Sequence, residues 1–485
     1  MDEDVAEFAR LFQGFMQQMT EVAWAERTSP VREVLDGHLE AGSSGLPVVS
    51  ESFAPYDHAN VQVALMAYLD VEGRSHATLG LSGQQRHFGS LADLLEIPHG
   101  VKIRPGAVDF VTLAVGPEET LPCVQFGLFT IRDRGTPLVV LMRGPEERHG
   151  LDSVVLEVLA AESGVAQGFL AEIRRLMVEL NVFRGQVVSF GESHMGRMGA
   201  GPVVFHRRPD LGRDQLVLPD GVLESIERHV FGIAEHRDRL RASDLHVKRG
   251  LLLHGPPGTG KTHTVRYLIS RVRDHTVLLL TGGGLHMVRQ ACALARMLQP
   301  AVVVLEDVDL VAQERGMFPG HHNPLLFDVL NEMDGIDEDA DVAFLLTSNR
   351  ADLLEPALAA RPGRVDLAIE IELPDDDARR RLIELYGRGL DLRLTDGATV
   401  VVRTAGVTAS FIKELMRKAG LLAAVESDGS GRLTVTDAHV QTALDELLAE
   451  GGALTRVLLG GGGEAPGRGP RPGTEWLLEG DASPE

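Results

Sequence analysis

The chain has 485 residues, of which 44% are apolar, and this suffices for two or three domains with their own cores. Its formal net charge of −23 argues against a nucleic-acid partner, because a binder of duplex DNA normally carries a basic face. No apolar run approaches the roughly 18 residues of a membrane span, and the acidic start MDEDVAEF lacks the basic region of a signal peptide, so we expect a cytosolic protein. Cys123 and Cys292 form no CxxC spacing, which favours small core residues over zinc ligands or reactive thiols.

The first predicted element is an amphipathic helix within residues 1–45. Phe8, Phe12 and Phe15 share one side at helical spacing, while the polar side carries Glu, Gln and a single Arg10. A helix that lies on a membrane surface would carry several Lys and Arg residues there. We therefore expect it to pack against protein, either against its own domain or in a contact with another subunit or a partner.

Residues 46–205 are predicted to form an α+β N-terminal domain that binds the substrate or partner. The runs VDFVTLAV, CVQFGLFTI and PLVVLM, separated by turn-rich connections, indicate an antiparallel meander. A helical stretch and two short apolar runs, QVVSF and PVVF, follow. No motif in this region identifies a ligand.

A nucleotide-binding domain is predicted over residues 206–375. The apolar runs LLLHG, TVLLLTG, AVVVLED and VAFLLTSN alternate with helical patterns, which indicates a parallel sheet with helices on both faces. Residues 376–450 are mostly helical in pattern. The Gly/Pro-rich residues 451–485 are predicted to be disordered.

The stretch GPPGTGKT fits the phosphate-binding pattern G-x-x-x-x-G-K-[ST], between an apolar run and a helical pattern as that motif requires. Glycines let backbone N–H groups close around phosphate oxygens, and the helix start adds partial positive charge. Lys261 is expected to reach the β- and γ-phosphates, and Thr262 to present its hydroxyl to Mg²⁺. We predict ATP and Mg²⁺ as cofactors, with these nucleotide-binding residues: Gly255, Pro256, Pro257, Gly258, Thr259, Gly260, Lys261, Thr262 and His263.

Four further stretches follow this motif in a fixed order: AVVVLEDVD, FDVLNEMDG, LLTSNR and LEPALAARPGRVD. With them, residues 215–450 resemble an AAA-family (AAA+) ATPase module of the kind found in membrane AAA proteases, microtubule severers and the valosin-containing protein. The resemblance implies an α/β P-loop AAA+ domain, a helical lid over residues 376–450, and ATP hydrolysis. The lid stretch AGVTASFIKEL matches the family pattern only loosely.

The resemblance also implies roles for five residues. Glu306 takes the position that orients the Mg²⁺ shell, and Asp307 the position of the base that activates water. Asn349 resembles the sensor 1 residue that holds the lytic water. Arg361 and Arg364 resemble arginine fingers that reach a neighbouring subunit, which implies a ring, most simply a homohexamer.

The acidic pair departs from the usual Asp-Glu order. An Asp side chain is shorter than Glu by one bond of about 1.5 Å, and displacing a base by about 1 Å can cost on the order of 100-fold in rate. The sequence Leu-Glu-Asp-Val-Asp resembles the corresponding strand of the mitochondrial AAA translocase that assembles respiratory complex III. That group uses ATP, so we expect this chain to hydrolyse ATP. Asp309 is expected either on the same strand face as Asp307 or at the start of the next element.

A second departure lies in TGGGLHMVRQACALARMLQ, where ring translocases carry an aromatic pore loop. This stretch has no aromatic residue, and Leu285, His286 and Met287 are its nearest candidates for gripping a polypeptide. A plain strand-to-helix turn is the alternative. The chain also has no HExxH motif, so we expect no metallopeptidase site of the membrane AAA proteases in it.

We expect an oligomeric ATPase, chaperone-like in action, that remodels or disassembles a protein client recruited by the N-terminal domain. The alternative is a nucleotide-gated binding module in which slow hydrolysis acts as a timer. A nucleic-acid motor is disfavoured by the charge and by the lack of a basic aromatic stripe.

Overall fold

The structure is a computed structural model that describes residues 8, 11–16, 30–43, 45–82, 90–95, 104–146, 151–191, 203–309, 331–350, 365–427 and 431–449. The chain divides into two compact units. Unit 1 comprises Met1–Pro209, His236–Arg249 and Arg271–Phe344, and unit 2 comprises Asp210–Glu235, Gly250–Ser270 and Leu345–Glu485. Within the described residues, no helix has the length and apolar character needed to cross a bilayer.

The elements are numbered in chain order. The described helices are α1 (Pro30–Leu39), α2 (His58–Leu69), α3 (Leu91–Leu95), α4 (Ser163–Glu179), α5 (Val222–Glu227), α6 (Ile233–Glu235), α7 (Arg237–Arg241), α8 (Lys261–Arg271), α9 (Val288–Met297), α10 (Asp376–Gly387), α11 (Gly397–Arg403), α12 (Ala409–Glu426) and α13 (Asp437–Ala449). The described strands are β1 (Val48–Phe53), β2 (Arg74–Ser82), β3 (Arg104–Gly106), β4 (Asp109–Ala114), β5 (Thr120–Asp133), β6 (Thr136–Arg143), β7 (Val154–Ala160), β8 (Val187–Phe190), β9 (Val203–His206), β10 (Arg249–His254), β11 (Thr276–Thr281), β12 (Ala301–Glu306), β13 (Val342–Ser348), β14 (Leu367–Glu370), β15 (Asp391–Arg393) and β16 (Thr434–Thr436).

The N-terminal part of unit 1 is an antiparallel sheet with helices on both faces. Its strand order is β1-β7-β6-β5-β2-β3, with β4 also paired to β5. Along β6, Leu138 and Val140 pack into the core under α2 and α4, whereas Val139 and Leu141 pack into the core under α1 and α3. Because successive side chains of a strand point to opposite faces, covering both faces explains the uninterrupted apolar run of β6. The predicted antiparallel meander is confirmed.

A second sheet region of unit 1 has the order β12-β11-β8-β9. The pairs β12–β11 and β11–β8 are parallel, and β9 closes the edge antiparallel to β8. The run QVVSF therefore pairs with β11, and PVVF pairs with QVVSF at the edge of the same sheet, although the sequence pattern grouped both runs with the N-terminal domain. Short apolar runs do not reveal which sheet they join.

Unit 2 holds the β10–β14 parallel pair, α8 and a helical region formed by α10 to α13. The helical region has its own core and includes the short parallel pair β15–β16. Polar side chains cap its helices: Asp375 accepts from the Ala378 N–H at 2.8 Å, and Thr408 from the Phe411 N–H at 3.3 Å. Each such cap stabilises a helix start by about 1 kcal/mol.

Candidate functional site

The predicted phosphate loop connects β10 to α8 and depends on glycine backbone geometry. Gly255, Gly258 and Gly260 have φ values of +133°, +80° and +112°, which L-residues with a side chain rarely adopt. A Cβ at Gly255 would also come within less than 3.0 Å of the Ile371 carbonyl oxygen. At Gly260, by contrast, no heavy atom lies within 4 Å of the Cβ position, so the loop faces open space there.

The side chains of the loop supply positive charge and hydroxyls. The Lys261 ammonium donates to the carbonyl oxygens of Gly255 and Pro256, both at 2.8 Å, so its charge lies against the loop. Thr259 Oγ1 donates to the Pro256 carbonyl at 2.9 Å. Thr262 is exposed in the first turn of α8. An open cradle of glycines, an ammonium and a helix start are the groups that fit a polyphosphate and its metal.

The helical region of unit 2 contacts the loop directly. The Ser410 N–H donates to the Gly258 carbonyl at 3.0 Å, and a Cβ at Gly258 would lie 3.1 Å from Thr408 Oγ1. The start of α12 therefore packs on the middle of the loop. The sequence located this stretch as part of a lid but missed its contact with Gly258. A capping residue ahead of an apolar helix was the available signal.

His263 has a different set of contacts from the other predicted nucleotide-binding residues. Its Nε2–H donates to the Gln215 carbonyl at 3.1 Å, and burial lowers the pKa of the imidazole. On the same side of α8, Ser270 Oγ donates to the Leu211 carbonyl at 3.0 Å. The segment ahead of α5 is thus held to the helix that follows the phosphate loop, a link between distant residues that no sequence pattern indicates.

The acidic pair lies at a sharp strand-to-helix turn. β12 ends at Glu306, whose register partner is Thr281, the last residue of β11. Asp307 follows with φ +50°, and residues 308–309 are already helical. Of the two positions expected for Asp309, the structure excludes the strand face and supports the start of the next element, because the chain turns first. Asp309 lies in the first helical turn and is 2% exposed.

Asn349 directly follows the last residue of β13, as the sequence predicted, and is half-buried. Beside it, Ser348 Oγ accepts from the Arg350 N–H at 3.0 Å and fixes the chain as it leaves the strand. Arg361 and Arg364 lie outside the described residues.

The stretch after β11 does not present a hydrophobic grip. Gly282–Met287 forms a 3-10 helix in which Leu285 and Met287 are 2% and 3% exposed, and only His286 of the three candidates is exposed. The two apolar side chains belong to the core of unit 1. The strand-to-helix turn is therefore the interpretation that the structure supports.

Comparison with known proteins decides the class of this region. A sequence model of the ATPase family associated with various cellular activities (AAA) matches residues 251–373. The chain contains an AAA ATPase domain. Such a domain hydrolyses ATP and uses ATP with Mg²⁺, in agreement with the phosphate loop, and its α/β P-loop fold with a helical C-terminal part confirms the predicted fold class.

Curated relatives extend the match beyond the domain. The chain is 33% identical to ATP-dependent zinc metalloprotease FtsH 2 of Sphaerobacter thermophilus over 240 residues, which are 47% of this chain and 36% of the relative. The metalloprotease FtsH of Thermus thermophilus is 31% identical over 46% of this chain and 37% of its own length. FtsH 4 of Sphaerobacter thermophilus is 28% identical over 77% of this chain and 57% of its own length. The chain thus matches between about a third and three fifths of these relatives.

Proposed function

We propose that this protein is an oligomeric ATPase that remodels or disassembles a protein client recruited by its N-terminal domain. The observation that carries the proposal is the phosphate loop with the start of α12 packed on Gly258. A helical region that rests on the loop senses whether the loop holds a polyphosphate, because any displacement of the loop moves its hydrogen-bond partner Ser410. ATP binding and hydrolysis can therefore move whole segments of the chain.

The chemistry assigned to the site divides among a few residues. Lys261 and the loop N–H groups would hold the phosphates, and Thr262 and Glu306 would hold the metal, which would supply neutralisation of phosphate charge when bound. Asp307 accepts the proton of the attacking water, and Asn349 orients that water. Arg361 and Arg364 of a neighbouring subunit stabilise the charge that develops on the transferred group.

The N-terminal domain is the proposed client-binding part. The buried Leu285 and Met287 leave the stretch after β11 without an apolar grip, which favours client handling outside a central pore. The similar proteins are named as metalloproteases, which is consistent with a protein client. The amphipathic helix, the domain boundaries given above, the cytosolic location and the likeness to the complex III assembly translocase remain predictions.

A subunit-mixing experiment tests the ring. Asp307→Asn and Arg361→Ala should each be nearly inactive alone, whereas mixing them should restore about a quarter of the wild-type ATPase rate, because a quarter of random interfaces pair an intact base with an intact finger. Arg393→Ala, a change at an exposed arginine paired to Asp391, is the control and should keep the wild-type rate. Absence of restoration, together with a monomer at all concentrations of protein and ATP, would refute the ring.

A second candidate function is a nucleotide-gated binding module. It is favoured by the burial of Leu285 and Met287, which leaves the stretch after β11 without an apolar grip on a polypeptide. It predicts near-zero turnover with ATP-dependent capture of a partner by the N-terminal domain. Turnover that rises on adding a protein client would exclude it.

A further inference from the structure

Asp307 has a backbone conformation that restricts which residue can serve there. Outside glycine, positive φ values occur among the described residues at Glu40, Arg134, Asp244 and Asp307, between 50° and 56°. For most L-residues this left-handed region costs energy, because the Cβ approaches the following carbonyl oxygen. Asp and Asn adopt it more readily than other residues with a side chain, since their short polar groups can hydrogen-bond to the local backbone.

The turn explains why the conformation occurs at this position. β12 is extended up to Glu306, and helical residues begin at 308, so a single residue redirects the chain. Glu306, as the last residue of a strand, is under no such restriction. Either carboxylate therefore suits position 306, but position 307 disfavours the longer one.

We infer that the left-handed turn, and not a loss of catalytic function, sets the Glu-Asp order of this site. Chemistry at position 307 requires a carboxylate, and the backbone favours Gly, Asn or Asp; Asp alone satisfies both. This inference rests on the proposed role of Asp307 as the base. Asp is then the residue that suits this turn at position 307, so the usual Asp-Glu order at positions 306 and 307 would slow this enzyme.

Glu40 shows that the restriction is a cost and not a prohibition, since a glutamate adopts φ 56° there. That residue directly follows α1 and is exposed. Asp307 is half-buried, so a longer side chain must fit its surroundings as well as the backbone. The predicted effect is therefore measurable but moderate.

The test combines melting temperature without nucleotide and steady-state phosphate release. The neutral series Asp307→Gly, Asp307→Asn and Asp307→Ala isolates the backbone preference, and the alanine variant should melt about 2 to 4 °C below the other two. Asp307→Glu and the double swap Glu306→Asp with Asp307→Glu should melt about 2 to 4 °C below wild type. Both should turn over ATP about 10- to 100-fold more slowly, with unchanged binding of a fluorescent ATP analogue.

Asp244→Glu is the matched control, because Asp244 is exposed, has φ 54° and lies outside the site. It should lower the melting temperature similarly and leave turnover unchanged. An Asp307→Glu variant with the melting temperature and turnover of wild type would overturn the inference while leaving the base role intact. Wild-type turnover in Asp307→Asn would instead refute the base role itself.

Discussion

The glycines of the phosphate loop give a prediction whose size follows from the structure. Gly255→Ala forces a side chain into a backbone conformation at φ +133° that few residues except glycine adopt, at roughly 1–3 kcal/mol, and against the Ile371 carbonyl, which adds roughly 1–3 kcal/mol. Gly260→Ala carries only the first cost, because its Cβ meets open space. We expect losses in the free energy of unfolding of about 2–6 kcal/mol for Gly255→Ala and about 1–3 kcal/mol for Gly260→Ala.

Nucleotide binding should separate the same variants in a second way. The Cβ of Gly260→Ala would enter the space proposed for the phosphates, so affinity for a fluorescent ATP analogue should fall at least about tenfold, or 1.4 kcal/mol. Gly135→Ala, at φ +92° with nothing within 4 Å of its Cβ, is the control for the backbone cost alone. Denaturant unfolding and fluorescence titration measure both quantities. Equal losses of stability at positions 255 and 260, with wild-type binding in Gly260→Ala, would show that neither the Ile371 contact nor the open space at Gly260 has the effect assigned to it.

Three further predictions concern buried groups of unit 1. Both ring nitrogens of His275 lack a hydrogen-bond partner, and burial lowers the pKa of the imidazole, so the protein keeps its stability above about pH 6.5 and loses stability as the pH falls below it. The melting temperature of His275→Phe should therefore depend less on acid than that of wild type, and an unchanged acid dependence would contradict this. Burial raises the pKa of Asp57 to about 6, so its ionised carboxylate lowers the stability of the protein as the pH rises through that value. Asp57→Asn should therefore raise the melting temperature more at pH 8 than at pH 5, and the reverse order would exclude this cost of ionisation. Burial raises the thiol pKa of Cys123 to about 11 and that of Cys292 to about 12. Both thiols should therefore resist thiol reagents at pH 8 until the protein is unfolded, and rapid labelling of the native protein would contradict this.

The charged groups around His275 act in opposite directions. Burial is the largest cause of its lowered pKa, the nearby carboxylate of Asp341 opposes the shift, and three arginines reinforce it: Arg208, Arg237 and Arg249. Asp341 is itself held by Arg249 at 2.8 Å and by Arg237 at 3.1 Å. The carboxylate is therefore already engaged by two cations, which limits the support that it can give to a protonated His275.

The sequence predicted the local features of the site well. The glycine spacing of GPPGTGKT fixed the loop between a strand and a helix, and the structure places Lys261 and Thr262 at the start of α8. The apolar runs also predicted the strands that precede the acidic pair and Asn349. Such features depend on a few neighbouring residues, so they can be read from spacing and residue type.

Long-range contacts were beyond the sequence. The residues of QVVSF do not indicate that β8 pairs with β11, and the residues of TGGGLHM do not indicate that Leu285 and Met287 are buried. The left-handed conformation of Asp307 depends on where the strand stops, and element ends are poorly determined by apolar patterns. A charged residue between a strand and a helix was the only local signal of that turn.

ATP hydrolysis with Asp307 as the base underlies the function proposed for this chain. The most direct measurement is steady-state phosphate release by wild type and by Asp307→Asn, over a range of protein concentrations with ATP and magnesium in excess. Wild-type turnover per subunit should rise with protein concentration, and turnover of Asp307→Asn should be at least about 100-fold lower while the variant still binds ATP. A wild-type rate near zero at every concentration, or equal rates in the two proteins, would contradict it.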